Sequence, residues 1–130
     1  MTLPQATLLA AILLFALAAF HAALAFGAPL GALAWGGENV GRLPDRLRRG
    51  SGFLAVVIAA MAIIMLMRGG LLFPEDTEQM VIPVWGVFVF LVLQASGALR
   101  SESRQEKRFM LPLYVIATAV TAFVAFGNHA

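Results

Sequence analysis

From Met1 to Gly37 the chain carries no Asp, Glu, Lys or Arg. A continuous helix from Leu3 to Gly37 would be about 50 Å long, far more than a hydrocarbon core of about 30 Å. The run must therefore stop or bend, and its residues indicate where. Pro29 cannot continue a helical ladder, and Gly27, two residues earlier, is suited to end the helix in a left-handed conformation. The remainder, APLGALAWGG, is read as a bent, interfacial or re-entrant segment punctuated by Gly27, Pro29, Gly31, Trp35, Gly36 and Gly37. Trp35 is expected at the headgroup level, because indole prefers that boundary.

Three further uncharged apolar stretches follow, so that spans are expected at about 4–26, 52–67, 80–99 and 109–127. Each approaches the length needed to cross the hydrocarbon core. The 130 residues are 61% hydrophobic and 12% charged, against about 25% charged in a soluble domain. The expected fold is an all-α membrane protein of one domain, a four-transmembrane-helix bundle.

The cations set the expected orientation. Arg42, Arg46, Arg48 and Arg49 fall in loop 38–51, and Arg100, Arg104, Lys107 and Arg108 in loop 100–108. The loop between them, 68–79, carries Glu75, Asp76 and Glu78 with Arg68 alone. The positive-inside rule then places both basic loops in the cytoplasm and both termini outside, in a bacterial inner membrane. This distribution also argues against a nucleic-acid partner. With no basic stretch ahead of the first apolar run, a cleaved signal peptide is not expected.

Local signals refine the spans. Ser51 is a candidate N-cap for the second helix, whose Gly52, Ala55, Ala59 and Ala62 share a small-residue face suited to close helix approach. Acidic residues precede the third helix, as its dipole favours, and Trp85 and Tyr114 are expected to anchor at interfaces. Ser103 and Glu106 form a capping-box pattern before the fourth helix, which Pro112 is expected to kink. His129 is terminal and expected to be exposed.

His21 is the only histidine within a span. Counting along the helices puts it at a depth similar to Gln94, with Ser96, Thr118 and Thr121 as further members of a possible intramembrane polar site. The imidazole is either interhelical glue, neutral and hydrogen-bonded to Gln94, Ser96 or a backbone carbonyl, or a functional group able to relay a proton. No second histidine shares its depth, so bis-histidine ligation of a heme would need a symmetric dimer, and no cofactor is expected. No cysteine is present, and no span contains Asp, Glu, Lys or Arg. Neither zinc-hydrolase nor serine-nucleophile motifs occur, and the chain is read as non-enzymatic.

The order HxxLAxGAPLGxxAWGG, then GRLPxxLR, a span, an acidic loop, a span and SESRQEKR resembles a group of small four-helix bacterial integral membrane proteins of unassigned function. The resemblance covers residues 20–127 and rests on His21, Gly27, Ala28, Pro29, Gly31, Gly36, Gly37, Pro44, Ser103 and Glu106. It implies the fold and the membrane, and no activity. Two functions are compatible with such a chain. One is an accessory or structural subunit that associates with a larger membrane-protein complex or with copies of itself in the lipid bilayer. The other is a small homo-oligomeric channel or transporter whose pathway passes His21, Gln94 and Ser96.

Overall fold

The computed structural model describes residues 2–101 and 103–127, so His129 lies outside the described residues. Four helices form the bundle: α1 (Leu3–Ala25), α2 (Asp45–Arg68), α3 (Val81–Leu99) and α4 (Leu111–Phe126). Each lies in a helical stretch long and apolar enough to cross a membrane. They pack as two antiparallel hairpins, α1 with α2 and α3 with α4. Contacts between α1 and α4 join the hairpins, while α2 and α3 touch little. The loops bearing the two arginine clusters share one end of the bundle, called here the basic end. The loop with Glu75, Asp76 and Glu78 marks the acidic end.

α1 starts because Thr2 and Gln5 satisfy each other's free backbone groups. The Gln5 N–H donates to the Thr2 hydroxyl at 3.3 Å and the Thr2 N–H to the Gln5 side-chain oxygen at 3.0 Å, with Pro4 in the first turn where its missing N–H costs nothing. At its other end the helix stops where Gly27 takes φ 97°, a backbone conformation costly for any residue with a Cβ.

α2 begins earlier than its apolar run. Pro44 occupies the N-cap and Asp45 opens the first turn, so the basic linker is itself helical. Ser51 is consequently inside the helix and not its cap. Its hydroxyl accepts a hydrogen bond from the Trp35 indole at 2.9 Å. Where charged residues continue a helix past the membrane boundary, a hydropathy edge marks the boundary and not the cap.

α4 is preceded by a π-helical turn, Glu106–Met110. Pro112 accounts for it: its ring has no N–H to bond the Arg108 carbonyl and would press on that carbonyl in a regular helix, so the widened turn relieves the clash.

The core is a set of narrow seams. Ala6, Ala10, Leu14, Leu17, Ala18, His21 and Leu24 recur on one buried face of α1; Ile58, Ala62 and Met65 face them from α2, Val84, Val87 and Leu91 from α3, and Ala117, Thr121 and Val124 from α4. Met65, off the small face expected for α2, is fully buried, whereas Ala55 and Ala59 are only half-buried. The opposite faces are apolar too, with Ile12, Phe15, Phe53, Val56, Val89, Leu93, Val115 and Ile116 exposed, as contact with lipid requires. At the acidic end Trp85, Phe88 and Phe126 form an edge-to-face cluster, with Trp85 and Phe126 centroids 4.6 Å apart.

Glycine matters most where backbones touch. A Cβ on Gly31 would collide with the carbonyl oxygens of Asn39 and Gly41, whereas one on Gly86, in the exposed face of α3, would meet nothing within 4 Å. Gly31→Ala should therefore cost roughly 1–3 kcal/mol through overpacking, while Gly86→Ala should be neutral or stabilise by up to about 1 kcal/mol through helix propensity. Thermal unfolding of the two variants in the same detergent checks both, and equal midpoints would show that the loop is not packed as described.

Candidate functional site

The segment joining α1 to α2, residues 26–44, folds back over the basic end as a strap. Its backbone is non-repetitive: two short 3₁₀ turns, Gly31–Leu33 and Trp35–Gly37, with Trp35, Gly36 and Gly37 all at positive φ. Such a backbone needs partners wherever it leaves water, and it has them. The Gly31 N–H donates to the Gly41 carbonyl at 2.8 Å, closing the strap on itself. The Ser103 hydroxyl donates to the Ala32 carbonyl at 2.6 Å, tying the strap to the α3–α4 loop, and also accepts from the Glu106 N–H at 3.3 Å. Arg48 donates from Nε to the Ala25 carbonyl at 3.1 Å, placing a cation on the C-terminus of α1. Leu24, Ala34 and Leu43 form a small buried apolar cluster beneath.

Trp35 is held in the left-handed region, φ 54°, which is unusual for a side chain of that size. Its Nε1–H bond to Ser51 and the absence of a side chain at Gly50, where a Cβ would stand 3.2 Å from the indole, fix it against α2. The ring is partly exposed on one side and borders a cavity on the other.

That cavity has a volume of about 200 Å³. His21 contributes from α1, Leu54 from α2, Leu93, Gln94, Gly97 and Ala98 from α3, Glu106 from the π turn and Tyr114 from α4; Ala34, Trp35 and Gly36 of the strap form its roof. Trp35, Leu93 and Gly97 are exposed as well as lining it, so its mouth lies toward the weak α2–α3 junction.

The polar groups in this wall are unusually short of partners. His21 is 3% exposed, its ring stands edge-on to Phe20 at 5.3 Å, and neither ring nitrogen makes a hydrogen bond. Glu106 is 7% exposed with Oε1 unpartnered; the Ser101 hydroxyl and the Gly36 N–H face its carboxyl. Among the described residues no cation pairs with it. Arg100, Arg104, Lys107 and Arg108 are exposed, and the one ion pair among the described residues joins Arg48 to Asp45 at 3.4 Å. Buried polar atoms without partners are costly, and two such residues border one cavity here.

Of the residues singled out from the sequence, His21 and Gln94 meet in this cavity. Ser96 does not line it; its carbonyl accepts from Arg100 Nε at 3.3 Å. Thr118 borders a different feature, an apolar groove between α3 and α4, and its hydroxyl donates to the Tyr114 carbonyl at 2.6 Å. Thr121 is fully buried with its hydroxyl unpartnered, about 10 Å further along α4 than Tyr114. Arg42 packs beside Gly27, while Arg46 and Arg49 are exposed.

Sequence reasoning missed Glu106, Tyr114 and Trp35 as cavity walls. The signal was present: Glu106, Met110, Tyr114, Ala117, Thr121 and Val124 recur at helical spacing and are all buried, so a carboxylate at the head of that seam points inward. The chain matches no known protein family, curated protein or solved structure.

A hydrogen-bonded structural histidine and an unpartnered one respond oppositely to an apolar replacement. His21→Leu removes two unsatisfied nitrogens and should hold or raise thermal stability, by up to about 1–3 kcal/mol; loss of interhelical glue would instead lower it by about 0.6–2 kcal/mol. Unfolding midpoints of the ligand-free protein and the variant in detergent distinguish the two.

Proposed function

We propose that this small multi-pass membrane protein is a non-enzymatic, solute-binding protein of the transporter kind, taking a small polar molecule into the cavity beside His21 and Glu106. The observation that carries this reading is the pairing of a cavity with buried polar atoms that no protein group satisfies. A structural core closes such atoms on each other, whereas a binding site leaves them for a ligand. The strap supports the same reading, since strained, positive-φ backbone at the roof of a cavity is a recurrent feature of ligand clamps.

Access in this reading is through the mouth at the α2–α3 junction, beneath the strap, and not from the acidic end. Beyond His21 the axis is filled by Leu14, Leu17, Ile58, Leu91 and Ala117, all fully buried. A continuous pore inside one chain is therefore not what the packing favours; passage requires helix movement, or a path between copies in a homo-oligomer. With the basic loops assigned to the cytoplasm of a bacterial inner membrane, the cavity faces inward and both termini lie outside. Because the chain lacks cysteine, single substitutions report this directly. Glu75→Cys should react with a membrane-impermeant maleimide in intact cells and Arg46→Cys only after lysis; the reverse pattern inverts the assignment.

An accessory-subunit role is favoured by a separate feature, the apolar α3–α4 groove of about 340 Å³ lined by Val92, Ala95, Val115, Thr118, Ala119 and Ala122. Small residues there permit a neighbouring helix to approach closely. The two readings part in one experiment. In a Trp85→Phe background Trp35 is the sole tryptophan and reports on the cavity. Panels of small cations, anions and neutral polar solutes should include a class that changes its emission saturably, with the response lost in His21→Leu. No response from any class, together with a stoichiometric copurifying membrane protein, would replace solute binding by the subunit role.

A further inference from the structure

The cavity's chemistry narrows the solute. Among the described residues Glu106 offers a carboxylate oxygen with no hydrogen-bond partner and makes no ion pair, and Trp35 and Tyr114 line the same space. A buried carboxylate flanked by aromatic rings is complementary to a cation that is itself weakly hydrated, because the rings attract positive charge without demanding the dehydration an ammonium point charge resists. Metal ions fit poorly. No group of three His, Cys, Asp or Glu side chains comes together among the described residues, and His21 with Glu106 supplies fewer donors than a tetrahedral or octahedral ion requires. Anions are opposed by Glu106 directly, since no arginine or lysine lines the cavity: Arg100, Arg104, Lys107 and Arg108 are exposed, and Arg48 is turned to the Ala25 carbonyl.

Resting on the solute-binding reading, we propose that the cavity is a site for a small organic ammonium ion, with Glu106 as its counter-charge, Trp35 and Tyr114 as its aromatic walls, and His21 and Gln94 as hydrogen-bonding partners for a second, neutral polar group on the same molecule. Size agrees: a cavity of about 150 Å³ in a protein core accommodates benzene, and the 200 Å³ here suits a compact quaternary ammonium alcohol. The mouth agrees as well. Trp35, Leu93 and Gly97 border it on the side where α2 and α3 barely touch, so a cation with apolar substituents passes apolar rims and reaches the carboxylate at the inner wall.

The test compares choline with 3,3-dimethyl-1-butanol, the uncharged carbon analogue of the same shape, by Trp35 emission and by calorimetry on the full chain in nanodiscs. Choline should bind saturably and the neutral analogue about tenfold or more weakly. Glu106→Gln, nearly the same shape, should weaken choline by about tenfold or more while leaving the analogue unchanged. Tyr114→Phe, which keeps the ring, should retain most of the choline affinity. Equal binding of choline and the analogue would overturn the ammonium assignment and leave the cavity as a neutral-solute site. No choline binding, with a response to anions or other solutes in the wider panel, would overturn it while the solute-binding reading stands. Silence from every solute would remove both. The comparison of the two probes on the unaltered protein decides the matter even where Glu106→Gln fails to fold.

Discussion

Everything at the basic end follows from one requirement: non-helical backbone brought against a membrane bundle must have its N–H and C=O groups satisfied. Residues 26–44 meet it with few contacts. Gly31 closes the strap on Gly41, Ser103 reaches across to the Ala32 carbonyl, and Arg48 covers the carbonyl that α1 leaves open at Ala25. Each of these bonds needs an atom from a different part of the chain, so the strap, the α2 start and the α3–α4 loop take their positions from one another. The glycines allow the approaches, since a Cβ on Gly31 or Gly37 would fall on the Asn39 carbonyl or the Ser103 side chain.

The cavity is a consequence of the same arrangement. A strap held by hydrogen bonds at its edges lies over the space between α1, α3 and α4 that His21, Gln94 and Tyr114 line. Further along, alanines and branched aliphatics pack together: Ala10, Leu14, Leu17, Ile58 and Ala62 are buried in one apolar cluster. The bundle thus has a close-packed half and an open polar half, and its polarity gradient runs with the chain's charge asymmetry.

Much of the fold was legible because membrane helices announce themselves by length and by the absence of charge. The stop at Gly27 and the bend through Pro29 both followed from the first 37 residues. What escaped was the far side of each boundary. Asp45 to Gly50 are mostly charged, yet helical, because Pro44 and Asp45 start the helix before the membrane does; Ser51 was thereby mistaken for a cap when it is a partner for Trp35. Glu106 was mistaken in the same way. Its spacing from Ser103 fits a capping box, and the Ser103 hydroxyl does accept from the Glu106 N–H, but the carboxylate is turned into the bundle. A local motif explains a backbone contact and leaves open which way the side chain goes.

The distribution of unsatisfied atoms adds a last step. His21, Glu106 and Thr121 are the residues whose buried side-chain atoms lack partners among the described residues. Thr121 sits within the close-packed half, and a hydroxyl of that size costs least when left alone or bonded weakly to its own helix. His21 and Glu106 differ: both are larger, both can carry charge, and both open on the same 200 Å³. Retaining two such groups side by side lowers stability unless something returns the lost interactions. In the solute-binding reading, a ligand that does so gains affinity from meeting polar groups already held in place. In the solute-binding reading the hydrogen bonds of the strap keep the roof of the cavity in place above Glu106 and His21.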